Sequence, residues 1–283
     1  MTRRNNEERL GVKKETSEAP LYDMEEPSAF SFVVPTEIVD LPSKGEYYLP
    51  EHPLHKVDTV EIRYMTAKEE DILTSRSLLK KGVAIDRLLQ NVVVDKNIRI
   101  DDLLVGDKNA LIIAARITGY GREYNVKVVC PFCGANQEHP FDLEAAEHKC
   151  PENFEELGAT KTDNGTFFIE LPKTKISVEV RLLTGRDEKE LLRHEEKRKK
   201  LKLQEATLTD QMKKMIVSVN GNDSQGVIYE FIDNMPATDS RHLRNVYADV
   251  TPNINLDREV TCEECGVENE IVIPFSAQFF WPK

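Results

Sequence analysis

EYNVKVVCPFCGANQEHPFDL (123–143) and DREVTCEECGVENEIVI (257–273) are the two stretches on which the fold turns. In the first, Tyr124, Val126 and Val128 alternate with polar residues, as one face of a strand does, and run into Cys130-Pro131-Phe132-Cys133-Gly134; Phe141 and Leu143 mark the returning strand. The second repeats the pattern, with a strand ending at Cys262-Glu263-Glu264-Cys265-Gly266 and a return through Ile271 and Ile273. A C-x-x-C-G turn sets two sulfurs on one side of a tight bend, and its glycine frees the backbone to point N–H groups at them. One such knuckle is half a tetrahedron. Two facing knuckles complete a four-cysteine site of the zinc-ribbon kind, so Cys130, Cys133, Cys262 and Cys265 are the predicted ligands of one structural Zn2+. Four thiolates leave no position open for water, which argues against metal catalysis.

Working outward, the segments before the two knuckles follow the same order. A strand over Thr59–Met65 leads to Thr66-Ala67-Lys68-Glu69, a capping-box pattern opening a helix to about Lys81, with Gly82 as its stop. A strand over Ile176–Leu182 leads to Thr184-Gly185-Arg186-Asp187 and a charged helix through Lys200. Asp107 and Asp239, each read as a helix cap, stand 23 residues before Cys130 and Cys262 respectively. Further helices are expected over 85–93 and 209–219, and another from the cap region at Thr238 or Asp239 to about Ala248. Thr66 precedes its knuckle by 64 residues and Thr184 by 78; the 14 extra residues fall in the charged HEEKRKKLKLQEATL (194–208), where a helix can lengthen into solvent. The reading is an α+β chain of two degenerate strand–helices–hairpin repeats, over 31–150 and 151–274, joined by the zinc-ribbon-like site of four cysteines. Because that site ties residues at least 129 apart, losing one cysteine pair is expected to separate the halves.

Composition narrows the functions. With 40% hydrophobic and 31% charged residues the chain has the make-up of a soluble globular protein, and no apolar run approaches the roughly 20 residues that cross a bilayer. The N-terminus lacks the apolar core of a secretory signal, so a cytoplasmic location is expected. A formal net charge of −12 disfavours nucleic acid as a partner. Five cysteines, four of them in C-x-x-C pairs, suit metal binding better than a disulfide framework.

Other chemistry finds little footing. The sequence holds no G-x-x-x-x-G-K-[ST], G-x-G-x-x-G, G-x-S-x-G or H-E-x-x-H. A redox role for the C-x-x-C pairs is disfavoured because both sit between strands rather than opening a helix. Cys150, His139 and His148 read as ordinary core or surface residues rather than ligands, and no catalytic residue is predicted.

The ends differ in character. Residues 1–30 mix charges with Pro, Ser and Asn without hydrophobic period, as a flexible arm does, and a strand is expected from Phe30. The tail, 275–283, gathers Phe275, Phe279, Phe280 and Trp281. Such a cluster either folds onto its own core or inserts into a neighbour, and Phe279, Phe280 and Trp281 are candidate partner-binding residues.

Several motifs in order, LPSKGEYYLPEHP (41–53), Thr66-Ala67-Lys68-Glu69-Glu70, DLLVGDKNALIIAARITGYG (102–121), CPFCG, CEECG and the closing FFWP, resemble the baseplate hub assembly proteins of T-even-type contractile-tailed phages. The resemblance covers about residues 31–283. It implies a non-enzymatic protein of tail baseplate hub assembly, found in the host cytoplasm or the virion tail, acting through contacts with other hub or tail proteins. The alternative reading is a zinc-ribbon regulator that binds nucleic acid.

Overall fold

Alternation of apolar and polar residues sets up the first element. In the computed structural model, which describes residues 34–272, 279 and 280, β1 (Thr36–Asp40) and β2 (Thr59–Arg63) pair antiparallel with Thr36 opposite Arg63. Val39, Val60 and Ile62 are buried. The arm over 1–30, most of the strand expected from Phe30, and Trp281 lie outside the described residues. Pro35–Lys283 form one unit by themselves, distinct from Met1–Val34.

After β2, Glu69 reaches back from α1 (Ala67–Thr74) to accept from Thr66 N at 2.9 Å and the Thr66 hydroxyl at 2.6 Å. The helix expected to reach Lys81 breaks at Ser75, whose backbone is extended (ψ 107°), and α2 (Arg76–Lys80) is a separate short piece. α3 (Ala84–Val92) buries Leu88, Leu89 and Val92; α4 (Val105–Tyr120) buries an almost continuous run from Gly106 to Arg116, Asn109 being half-buried. Asp107 does not cap α4. It is the third residue of the helix and accepts from Ser43 N at 3.0 Å, Ser43 Oγ at 2.6 Å and the Tyr48 hydroxyl at 2.7 Å. Burial holds its carboxyl above the ordinary carboxylate range despite those donors.

β3 (Glu123–Val129) and β4 (Asn136–Asp142) make the first knuckle hairpin, and β5 (Glu147–Lys149) follows. Next, β6 (Ala159–Lys161), β7 (Thr166–Glu170) and β8 (Ser177–Arg181) begin an antiparallel sheet. α5 (Gly185–Lys200) and α6 (Thr207–Met215) intervene before β9 (Ile216–Val219) completes it in the order β6-β7-β8-β9. The helix expected over 209–219 therefore stops at Met215: Ile216–Val219 pair with β8, burying Ile216 and Val219, which gains more than another helical turn would. α7 (Gln225–Asn234), α8 (Ala237–Val250), β10 (Asn253–Asn255), β11 (Asp257–Thr261) and β12 (Glu268–Val272) close the chain.

β7–β8 has the register of β1–β2. Thr166 lies opposite Arg181 as Thr36 lies opposite Arg63, and Ile169 opposite Val178 as Val39 opposite Val60. Both leading strands run straight into Leu-Pro, in TEIVDLP (36–42) and TFFIELP (166–172). The residues after that Leu-Pro bind the two buried aspartates: Ser43 binds Asp107, while Lys173 N and Thr174 N donate to Asp239 at 2.8 and 3.0 Å. Asp239, like Asp107, is the third residue of its helix and no cap.

Among the bonds that join the first half to the second, these stand out. β5 pairs antiparallel with β10. Val105 N donates to Leu183 O at 3.1 Å and Gly185 N to Leu103 O at 2.8 Å. The buried Lys108 ammonium lies 3.1 Å from Asp86 and 2.9 Å from Glu188, where those carboxylates hold its pKa up against burial. One hydrophobic core runs through both halves and takes in Phe279 and Phe280. Among the described residues, no helix is long and apolar enough to cross a membrane.

Candidate metal centre

Strand pairing brings each knuckle to the tip of its hairpin. Val129 pairs with Asn136 and Thr261 with Glu268, so the chain must turn across residues 130–135 and 262–267. The two turns are closed by matching bonds: Cys130 N to Ala135 O at 2.9 Å and Gly134 N to Cys130 O at 2.9 Å, against Cys262 N to Val267 O at 2.9 Å and Gly266 N to Cys262 O at 2.8 Å. Gly134 and Gly266 take positive φ, 73° and 71°, a conformation that favours glycine and explains the residue after each C-x-x-C.

The hairpins meet tip to tip. All four Sγ atoms lie within 4.8 Å of one another, with Cys130 to Cys265 at 3.8 Å and Cys133 to Cys262 at 3.6 Å. Four sulfurs about 2.3 Å from a tetrahedral zinc stand about 3.8 Å apart, so the arrangement fits a closed four-thiolate ion site. Cys130 and Cys262 are buried; Cys133 and Cys265 are exposed at the rim.

Electrostatics divide the four in the same way. The Cys133 N–H brings Cys130 down to about 6, and the Cys265 N–H lowers Cys262. At Cys133 the Ala135 N–H works downward, but burial and the neighbouring thiols carry the group up to about 12. The local N–H donors thus favour the thiolate at the buried pair, and the neighbouring thiols disfavour it at the rim pair. A bound cation favours the thiolate at all four, with loss of their protons, as metal binding to thiols does.

Two polar side chains that motif reading passed over complete the surroundings. Gln137 Nε2 donates to Cys262 Sγ at 3.3 Å, and Asn269 Nδ2 lies 3.6 Å from Cys130 Sγ. The signal for them was positional: each stands four residues after the second cysteine of its own knuckle. His139 bonds Gln137 at 3.2 Å and is not in the sulfur cluster; Cys150 lies outside it too, its thiol pushed up by burial.

The candidate partner residues fall elsewhere. Phe279 and Phe280 are each 1% exposed and pack in the chain's own core, Phe279 edge-on to Tyr124 at 5.0 Å.

The model of the family described as T4 bacteriophage base plate protein matches residues 34–281. No curated protein and no solved structure matches the chain.

Proposed function

Since the chain belongs to the T4 bacteriophage base plate protein family, we propose that it is a non-enzymatic component or assembly factor of the phage tail base plate hub, acting through protein–protein contacts. The family match over residues 34–281 carries this reading. We place it in the host cytoplasm during assembly and in the virion tail if it is retained. Its partners are other hub or tail proteins.

Physical features support a scaffold. The chain reads as one α+β unit used twice, with a structural Zn2+ held by Cys130, Cys133, Cys262 and Cys265 as a zinc-ribbon-like staple between the two hairpins. A shared core, backbone pairing and buried ion pairs bind the copies together, which suits a body that must hold its shape under load. For contacts, α5 carries Lys197, Arg198, Lys199 and Lys200 in its last turn. Beyond it Leu201, Leu203 and Leu208 are 69%, 55% and 50% exposed. Apolar side chains beside cations, on a chain of net charge −12, fit a partner surface whose apolar patch is bordered by carboxylates.

The deciding experiment follows the chain in the phage that encodes it, by mass spectrometry of purified hub intermediates and particles beside a deletion strain. Co-purification with hub proteins and arrest of hub formation on deletion are expected. Normal tails from the deletion strain, together with no hub protein in the co-purified fraction, would remove the reading. Salt-dependent nucleic-acid binding by the pure chain would do the same.

A further inference from the structure

The amides of Gln137 and Asn269 stand in matching places. Gln137 lies opposite Val128 on the first hairpin and Asn269 opposite Val260 on the second, each partner being two residues before the first cysteine of its knuckle. Each amide reaches across to the other hairpin. Gln137 Nε2 meets Cys262 Sγ at 3.3 Å and Asn269 Nδ2 meets Cys130 Sγ at 3.6 Å, so both choose the buried first cysteine of the opposite knuckle. Among the described residues, the backbone N–H groups that act on these sulfurs, those of Phe132, Cys133, Ala135, Glu264, Cys265 and Val267, each belong to the same knuckle as the sulfur. The two amides therefore tie the halves of the site together in a way the turns cannot.

We propose that Gln137 and Asn269 are positioning residues of the metal centre, a reciprocal pair whose cross-hairpin N–H···S bonds hold the four thiolates at metal-binding spacing and offset part of their charge. The assignment rests on the reading that the four cysteines hold a metal ion. Orientation of the Gln137 amide is fixed from behind by His139, whose Nε2 lies 3.2 Å from Gln137 Oε1; that contact turns the Gln137 NH2 toward sulfur. Asn269 is 9% exposed, and its Nδ2 also donates to Val267 O at 3.0 Å, which anchors it to its own turn. Among the described residues its buried Oδ1 has no hydrogen-bond partner, so the contacts this amide makes are those of its nitrogen. A site with four thiolates around one divalent ion carries a net charge of −2, and donors aimed at sulfur from its surroundings stabilise that charge.

The test uses the full chain, stripped and reloaded with Co2+ and then Zn2+, in competition with a chelator of known affinity. The variants are Gln137→Met, Asn269→Leu, the double variant, and Asn269→Asp. Wild type is expected to bind one Co2+ with a tetrahedral spectrum. Each single apolar variant keeps that stoichiometry and spectrum class, shifts the thiolate-to-cobalt charge-transfer band and binds about 10–100-fold more weakly, and the double variant more weakly still. Asn269→Asp is expected to bind more weakly than Asn269→Leu, because a carboxylate faces sulfur with charge and no donor; a merely space-filling role would give the opposite order. Affinities within about twofold of wild type and an unshifted band would overturn the assignment while leaving the centre intact. Wild type that takes up no Co2+ would overturn the centre, and this assignment with it.

Discussion

Arg116 Nε donates to the carbonyl of Phe279 across 2.6 Å. The same guanidinium serves Gly121 O at 2.6 Å and Glu123 O at 3.0 Å, so one side chain, 1% exposed, gathers the end of α4, the start of β3 and the aromatic pair Phe279–Phe280. Burial lowers its pKa, yet arginine stays charged at any working pH. Arg116→Met keeps the apolar stem and removes all the donors, leaving three carbonyls to find other partners. The expected loss is about 3–5 kcal/mol in denaturant unfolding, and Phe279→Ala should lose a similar amount through the cavity it opens. Losses below about 1 kcal/mol for both would mean that the tail is not part of the folded core.

Glu69 and Asp187 give the pH dependence its sign. Each is the third residue of its helix, faces an arginine six residues before it, and binds the capping threonine; Arg63 reaches Glu69 at 2.6 Å and Arg181 reaches Asp187 at 2.8 Å. Burial works to raise both carboxyls, but hydrogen bonds from arginine and threonine overcome it and leave both below their ordinary range. A carboxyl lowered in the fold contributes stability above its unfolded pKa, about 4, and loses it as pH falls through the lower folded value. Stability should therefore fall in acid below about pH 4. Glu69→Gln should lower the neutral plateau by about 2–3 kcal/mol and flatten the acid limb, with Asp187→Asn doing so less because Arg181 is more exposed. Unfolding curves at pH 3 and 7 decide it: an unchanged acid limb in the double variant would rule the pairs out as its source.

How much of this the amino-acid sequence discloses varies by element. The knuckles were legible because cysteine spacing, flanking alternation and the glycine after each pair all specify one local geometry. The capping threonines at 66 and 184 were legible for the same reason. Ser75 and Ile216 were not: whether a helix continues there depends on what lies alongside, and at Ile216 the β8 edge competes with the helix for the same backbone groups. Asp107 and Asp239 look like caps because an aspartate near a helix start usually is one. Their actual donors, Ser43, Tyr48, Lys173 and Thr174, lie about 60 residues away, beyond any local pattern. TEIVDLP and TFFIELP were in plain view, yet only the common strand register gives their likeness a meaning.

Gly106 permits the close approach of α4 to the segment before β10. A Cβ there would stand 2.0 Å from Pro252 O and 2.9 Å from Pro252 C, which are backbone atoms with no rotamer to move. Gly106→Ala should cost about 2–3 kcal/mol or more. Gly226, the second residue of α7, is open, with nothing nearer than the Ser224 Oγ at 4.0 Å, and Gly226→Ala should be neutral or stabilising by up to about 1 kcal/mol. Thermal unfolding of the two variants side by side is the check, and equal midpoints would refute the packing argument.

Metal removal separates local from global support. Spacing alone led to the expectation that losing one cysteine pair separates the halves, but the β5–β10 pairing, the Leu103–Gly185 and Val105–Leu183 backbone bonds, and Lys108 between Asp86 and Glu188 remain when the sulfurs are empty. Chelation, or Cys133→Ser with Cys265→Ser at the exposed rim, should therefore loosen the hairpins while the rest of the fold stands. Hydrogen exchange should quicken in 123–142 and 257–272, with protection kept in α4, α8 and the four-stranded sheet. Far-UV circular dichroism should change little, and the unfolding midpoint should fall and return on adding Zn2+. Loss of protection throughout the chain on chelation would show that the ion, and not the shared core, holds the two halves together.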